Sequence, residues 1–426
     1  MRGLKRNPWL LSLGALAFLA ASGNVARAEV TTDKPGSILV FPKVVADGTR
    51  DTLIQIVNTD TKTNQVHCFY VNASGACNSN PAIACQLNSE CITASGNPND
   101  FCDRQCTPTN FDIFLTAGQP TFWRVSTGRL SNPLDPRCPL GSFCSCTQGQ
   151  GAASNTISCP GFDPGLASQQ STGVPPVVPG FSGELKCVSV GGDFETPAGS
   201  DKLIGTAILE NLTTGQISEY SALAVQAGTA GPDADKDLDL DNVEYSRCPQ
   251  TQWLTHWADG VADPVTGATI TTEITLAPCT ELLESDPTGD GTRARALFQI
   301  IDEFEQIAGS ADVTFDCHLN RQLSVINTAF GTGNISSLIA KTRIRTPGGS
   351  ICLTGTNRGG TCASDVDCPG ATLSNAGTTL GCRPWTGLLG VAEEFHAVAL
   401  QPTGTAAFNL HVEDGRSTND LIDLGL

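Results

Sequence analysis

A chain of 426 residues is longer than one apolar core commonly serves, so length alone points to two domains. Only 16% of residues are charged while Gly and Pro number 44 and 25, which favours strands and turns over long solvated helices. A net charge of −18 repels nucleic acid and anionic membranes, so neither is an expected partner.

Residues 1–28 read as a secretory signal. Arg2, Lys5 and Arg6 form a basic start, Trp9 to Ala21 an apolar run, and Ala26-Arg27-Ala28 a small-x-small cleavage site. No later apolar run has spanning length, so the expectation is an exported protein, extracellular, at the cell surface or periplasmic, with no membrane insertion after signal removal.

Gly36 to Val44 reads as an apolar strand ended by Pro42. Asp47-Gly48 then turns the chain, and Thr52 to Val57 alternates apolar and polar residues, as a strand with one buried face does. Val66 to Val71 continues the sheet. Phe111 to Val125 reads as a hairpin bent at Gly118, and further strands follow at 183–190, 203–209 and 220–225.

The second half repeats this order. Ile274 to Pro278 parallels Ile38 to Pro42, Asp290-Gly291-Thr292-Arg293 repeats Asp47-Gly48-Thr49-Arg50, and Leu297 to Ile300 repeats Leu53 to Ile56. Val313 to Asn320 parallels Val66 to Asn72, 390–398 parallels 183–190, and Gly404-Thr405-Ala406 repeats Gly205-Thr206-Ala207. Six blocks in one order predict an internal duplication.

Eighteen cysteines, all beyond residue 28 and without a CxxC pair, predict disulfides rather than zinc. Twelve fall into three loop units: Cys77, Cys85, Cys91 and Cys102; Cys138, Cys144, Cys146 and Cys159; and Cys352, Cys362, Cys368 and Cys382. The first and third share a five-residue inner spacing and a carboxylate, Glu90 or Asp367, just before the third cysteine. Of the remaining six, Cys68 with Cys106 would close the first excursion.

Between the halves, Asp233, Asp235, Asp237, Asp239, Asp241 and Glu244 stand at the ligand spacing of an EF-hand calcium loop. Leu238 replaces the glycine of that loop, so the run is either an irregular calcium site or a solvated spacer. Calcium is the one cofactor expected. Trp253 and Trp257, flanking His256, are the tryptophans expected to be exposed and to contact a ligand, while Trp123 and Trp385 fit a core. On a strand, Glu394 and His396 would share a face that Glu393 does not. HExxH and GxSxG are absent.

The segments GSILVFP, DTLIQIVNT, HCFYVN, GVAEEFH and GTAAFNLH together resemble a group of uncharacterised secreted bacterial proteins. The resemblance implies export and a β-rich body, and brings no activity or site residue. The turn followed by a TxIxIxN-like strand is more loosely similar to immunoglobulin-like surface modules.

The expected fold is therefore all-β: two tandem, internally duplicated antiparallel β-sandwich-like (immunoglobulin-like) domains with disulfide-rich loop insertions. The first domain covers 29–230 with insertions near 77–106 and 138–159; an acidic linker and connection covers 231–271; the second domain covers 272–426 with an insertion near 352–382. The expected role is structural or adhesive binding of a glycan or another surface protein. A secreted hydrolase using carboxylates or a metal, acting on glycans, is the alternative.

Overall fold

The structure is a computed structural model that describes residues 30–412 apart from 105, 130–146, 149–156, 159–173, 194–195, 229, 233–237, 239, 241, 280–292, 336–337, 348–349, 353–354, 358–360, 372–380, 385–386 and 399–400. The signal, the cysteines between 138 and 159, Trp385 and the five aspartates of the acidic run lie outside the described residues.

In the first half the chain order is β1 (Val30–Thr31), β2 (Ile38–Ala46), β3 (Arg50–Asn58), β4 (Asn64–Asn72), β5 (Gly75–Cys77), β6 (Asn80–Cys85) and helix α1 (Asn88–Ser95). Then come β7 (Cys102–Arg104), β8 (Thr107–Leu115), β9 (Pro120–Arg124), β10 (Thr147–Gln148), β11 (Ile157–Ser158), β12 (Phe181–Val190), β13 (Leu203–Asn211), β14 (Ile217–Ser221) and β15 (Leu223–Val225). Six strands form one antiparallel sheet, β1-β15-β2-β12-β4-β8, and four form another, β14-β13-β3-β9. Inward side chains of both sheets, among them Phe41, Ile54, Tyr70, Trp123, Leu185 and Leu203, share one apolar core. That layering fits the expected sandwich-like half.

The period-two pattern of Thr52 to Val57 is what places β3: Ile54 and Ile56 are buried and Gln55 is exposed. Two expectations change here. Pro42 does not end its strand; it sits at the register irregularity between Phe41↔Leu185 and Val44↔Gly183, where the sheet can spare its missing N–H. Residues 111–125 do not form a hairpin either. The chain turns at Gly118 (φ 63°), but β8 pairs with β4 and β9 with β3, so the turn crosses from one sheet to the other.

The second half begins earlier than expected. β16 (Thr251–Trp257) and β17 (Val261–Ala262) lie within 231–271, so much of that connection is second-half strand. There follow β18 (Thr269–Cys279), β19 (Arg293–Asp302), β20 (Ile307–Asp316), β21 (Leu319–Gln322), β22 (Ala340–Arg345), β23 (Ser350–Cys352), β24 (Thr361–Cys362), β25 (Cys382–Pro384), β26 (Gly387–Val398), β27 (Gln401–Asn409) and β28 (His411–Val412). One sheet runs β20-β19-β22-β16-β28 and the other β17-β18-β26-β27, with β21 also on β18. Trp257, Ile274, Phe298, Phe315 and Ile344 share the core between them.

The central pairing is alike in both halves: β2 with β12, and β18 with β26. The repeated Gln-Ile strands, β3 and β19, are each internal to the opposite sheet. Their neighbours differ, because β19 pairs directly with β20, whereas β4 pairs with β12. The central pairings are consistent with a duplication; the outer strands follow separate routes.

Candidate functional site

Two of the cysteine units are built on the same plan. In the first, β5 is the middle strand between β6 and β7, with Cys77–Cys91 and Cys85–Cys102 as disulfides. In the other, β23 lies between β24 and β25, with Cys352–Cys368 and Cys362–Cys382. First cysteine joins third and second joins fourth in each. Cys77 also stands opposite Cys102 in register, as Cys352 does opposite Cys382.

The carboxylate before the third cysteine has the same task in both units. Glu90 Oε2 accepts from the backbone N–H of Gln86 and Leu87 at 2.6 and 3.0 Å. Asp367 Oδ2 accepts from those of Ala363 and Ser364 at 2.9 and 3.0 Å. Each pair of donors stands one and two residues after the second cysteine, at a helical turn whose first N–H groups lack partners. The stacked sulfurs are held in disulfides, so they offer no thiolates to a metal.

The surroundings of the two units differ. The 77–102 unit is wedged against the second half: Arg321 pairs with Glu90 through Nε and Nη2, Gln86 accepts from the Asn320 N–H at 2.6 Å, and Leu87 joins the second core. Burial raises the Glu90 carboxyl, but Arg321 and the two backbone donors outweigh it and hold it below its ordinary value. In the 352–382 unit, the Asp367 and Pro369 carbonyls and the Asp365 and Asp367 carboxylates accept hydrogen bonds from within the unit. Residues 363–367 are exposed, Val366 to 87%.

The densest group of charges sits where the halves meet. Glu273 on β18 and Glu393 on β26 are directly opposite in register, an arrangement of like charges that a sheet does not tolerate alone. Lys43 of β2 is inserted between them, ion-paired with Glu273 and 2.8 Å from Glu393, with 1% of its side chain exposed. Arg50 reaches Glu273 at 3.1 Å, while Ser218 and Thr405 donate to Glu393 at 2.8 and 3.0 Å. Burial raises the Glu273 carboxyl, but Lys43 and Arg50 outweigh it and bring it down to about 2. The opposite charges are paired across the two halves, which suits a lock between them.

The other site residues are dispersed. Of the calcium set only Glu244 is described; it is buried, beside Tyr245. Leu240 and the half-buried Leu238 pack with Tyr245 and Cys248, so the run is anchored by leucines between its acids. Trp257 corrects the expected exposed pair: it is 1% exposed, donates from Nε1 to Thr342 Oγ1 at 2.8 Å and packs edge-on to Phe330. Four residues along the strand, Trp253 points the opposite way, half-buried, with the Arg343 guanidinium 5.8 Å from its ring. Trp123 is buried, as expected. Glu394 and His396 do meet, at 2.7 Å, on the face opposite Glu393.

Disulfide pairing brings another correction. Cys68 stands opposite Cys187 in the β4–β12 register and bonds to it, and Cys106 bonds to Cys317 of the second half. Cys248–Cys279 completes the bonds outside the units, and among the described residues no cysteine is free. Sequence reasoning missed the Lys43 cluster, although the apolar surroundings of a lone lysine in ILVFPKVVA were its signal. No protein-family model matches the chain, and no curated protein is significantly similar to it.

Proposed function

We propose that the protein is an exported structural or adhesive binding protein whose β body carries a stapled recognition module at 350–384. The observation that supports this is the contrast between the two units. One is consumed as a clamp between the halves, while its twin keeps the same two disulfides and the same carboxylate cap and presents residues 363–367 to solvent. A short loop held by two disulfides loses little conformational freedom on binding, which is what a rigid recognition element needs. Export accords with the seven disulfides among the described residues and with the signal-like start of the sequence. Among the described residues no helix is long and apolar enough to cross a membrane. The ligand class of the module is a glycan or a protein of another surface.

The test replaces 350–384 with a short Gly/Ser connection and compares both proteins on glycan arrays and on cell surfaces. Surface binding should fall at least tenfold while thermal unfolding of the body stays in place. Equal binding by the two proteins would reject the module as the recognition element.

A further inference from the structure

The strand leading into the stapled module carries a basic row. In β22, Ala340, Thr342 and Ile344 are buried, so Lys341, Arg343 and Arg345 share the outer face. Residues two apart on a strand lie about 7 Å from one another, so the three cations are spaced regularly. Arg343 stands directly between Trp253 of β16 and Gln299 of β19, forming one rung with its guanidinium over the indole ring, 5.8 Å from the centroid. Arg345 is exposed, and among the described residues it has no ion-pair partner while Lys341 has only the exposed Glu305, at 3.8 Å.

This concentration of positive charge runs against the chain, which holds 25 Lys and Arg against 43 Asp and Glu. At physiological ionic strength charges are screened beyond about 8 Å, so a ligand on the face meets the local row rather than the net charge. Duplex DNA carries a charge every ~1.7 Å, far denser than three cations set about 7 Å apart. A polysaccharide with one acid group per one or two sugars matches that spacing. The exposed part of a tryptophan supplies apolar surface for a sugar ring to pack on, and guanidinium groups pair with carboxylate or sulfate in two-pronged fashion.

We infer that the outer face of this sheet, through Trp253, Arg343, Arg345, Lys341 and Gln299, binds an anionic polysaccharide. The site is separate from the stapled module and stands whether or not the module binds anything.

Intact protein is titrated with polygalacturonate as the carboxylate probe, dextran sulfate as the sulfate probe, and neutral dextran and duplex DNA as controls. The expected result is binding of at least one anionic polysaccharide, weakening as salt rises, with neutral dextran unbound and DNA at least tenfold weaker. Which acid group the face takes is read from the first two arms. Arg345→Gln and Lys341→Gln, both solvent-facing, should together weaken binding tenfold or more without moving the thermal midpoint. Trp253→Ala should weaken it further. If that variant fails to fold, the Arg345/Lys341 pair decides alone. The protein lacking 350–384 should bind as well as the intact chain. Absence of binding to both anionic probes, binding indifferent to the Arg345/Lys341 substitutions, DNA binding of equal strength, or loss of binding with the module would each overturn the inference.

Discussion

Lys43 lies between two carboxylates contributed by the other half of the chain, with almost none of its side chain in water. Removing one member of a buried ion group leaves the others uncompensated, which is costlier than replacing the group whole. Lys43→Met is therefore expected to destabilise the protein by about 3 kcal/mol in urea titration, with part of the loss recovered by adding Glu393→Gln. A neutral Lys43→Met would remove the lock from the account. The cluster also sets an acid response. The folded Glu273 carboxyl is at about 2 against an ordinary 4.5, so between those values the unfolded chain binds more protons. Its contribution is complete above about 4.5 and is lost as the pH falls toward 2. The buried Glu184 carboxyl is raised by desolvation and acts in the opposite sense, favouring the folded state at lower pH. Glu273→Gln should flatten the acid limb of a urea-midpoint profile across that window, and an unchanged slope would exclude Glu273 as its source.

At the scale of elements, the two stapled units show how one local motif takes different roles. The cysteine spacing and the carboxylate before the third cysteine were legible in the sequence, whereas the pairing was not, because four neighbouring cysteines admit three connectivities. Whether a unit docks depends on its neighbours: Gln86 and Leu87 reach Asn320 and the second core, while Ala363 and Ser364 occupy the same positions in the twin. Glu90→Ala removes both the cap and the Arg321 pair and should cost about 2 kcal/mol of global stability, read by chemical denaturation. Asp367→Ala should loosen only its own unit, seen as faster amide exchange at Ala363 and Ser364 with the global midpoint unmoved. Equal global effects would show that the 352–382 unit is docked as well.

For the whole molecule, the Lys43 cluster, the wedged first unit and the Cys106–Cys317 bond tie the halves into one cooperative body. A single calorimetric transition is expected, and Cys106→Ser with Cys317→Ser should cost about 3 kcal/mol of stability and so lower its midpoint without splitting it. Two resolved transitions in the intact protein would contradict this. By itself the sequence determined the all-β character, the positions of strands such as β3, β4, β12 and β13, the burial side of β3 and the grouping of cysteines into short units. Each follows from alternation, turn residues or short-range spacing, which act between residues near in the chain. Only the tertiary structure decided that residues 111–125 divide between two sheets, that Cys68 bonds Cys187 and Cys106 bonds Cys317, that Trp257 is core while Trp253 faces out beside Arg343, and that Lys43 serves Glu273 and Glu393. Those outcomes depend on which strands become neighbours, and the partners lie 119 to 350 residues apart in the cases of Cys68–Cys187 and Lys43–Glu393, beyond the reach of any local pattern.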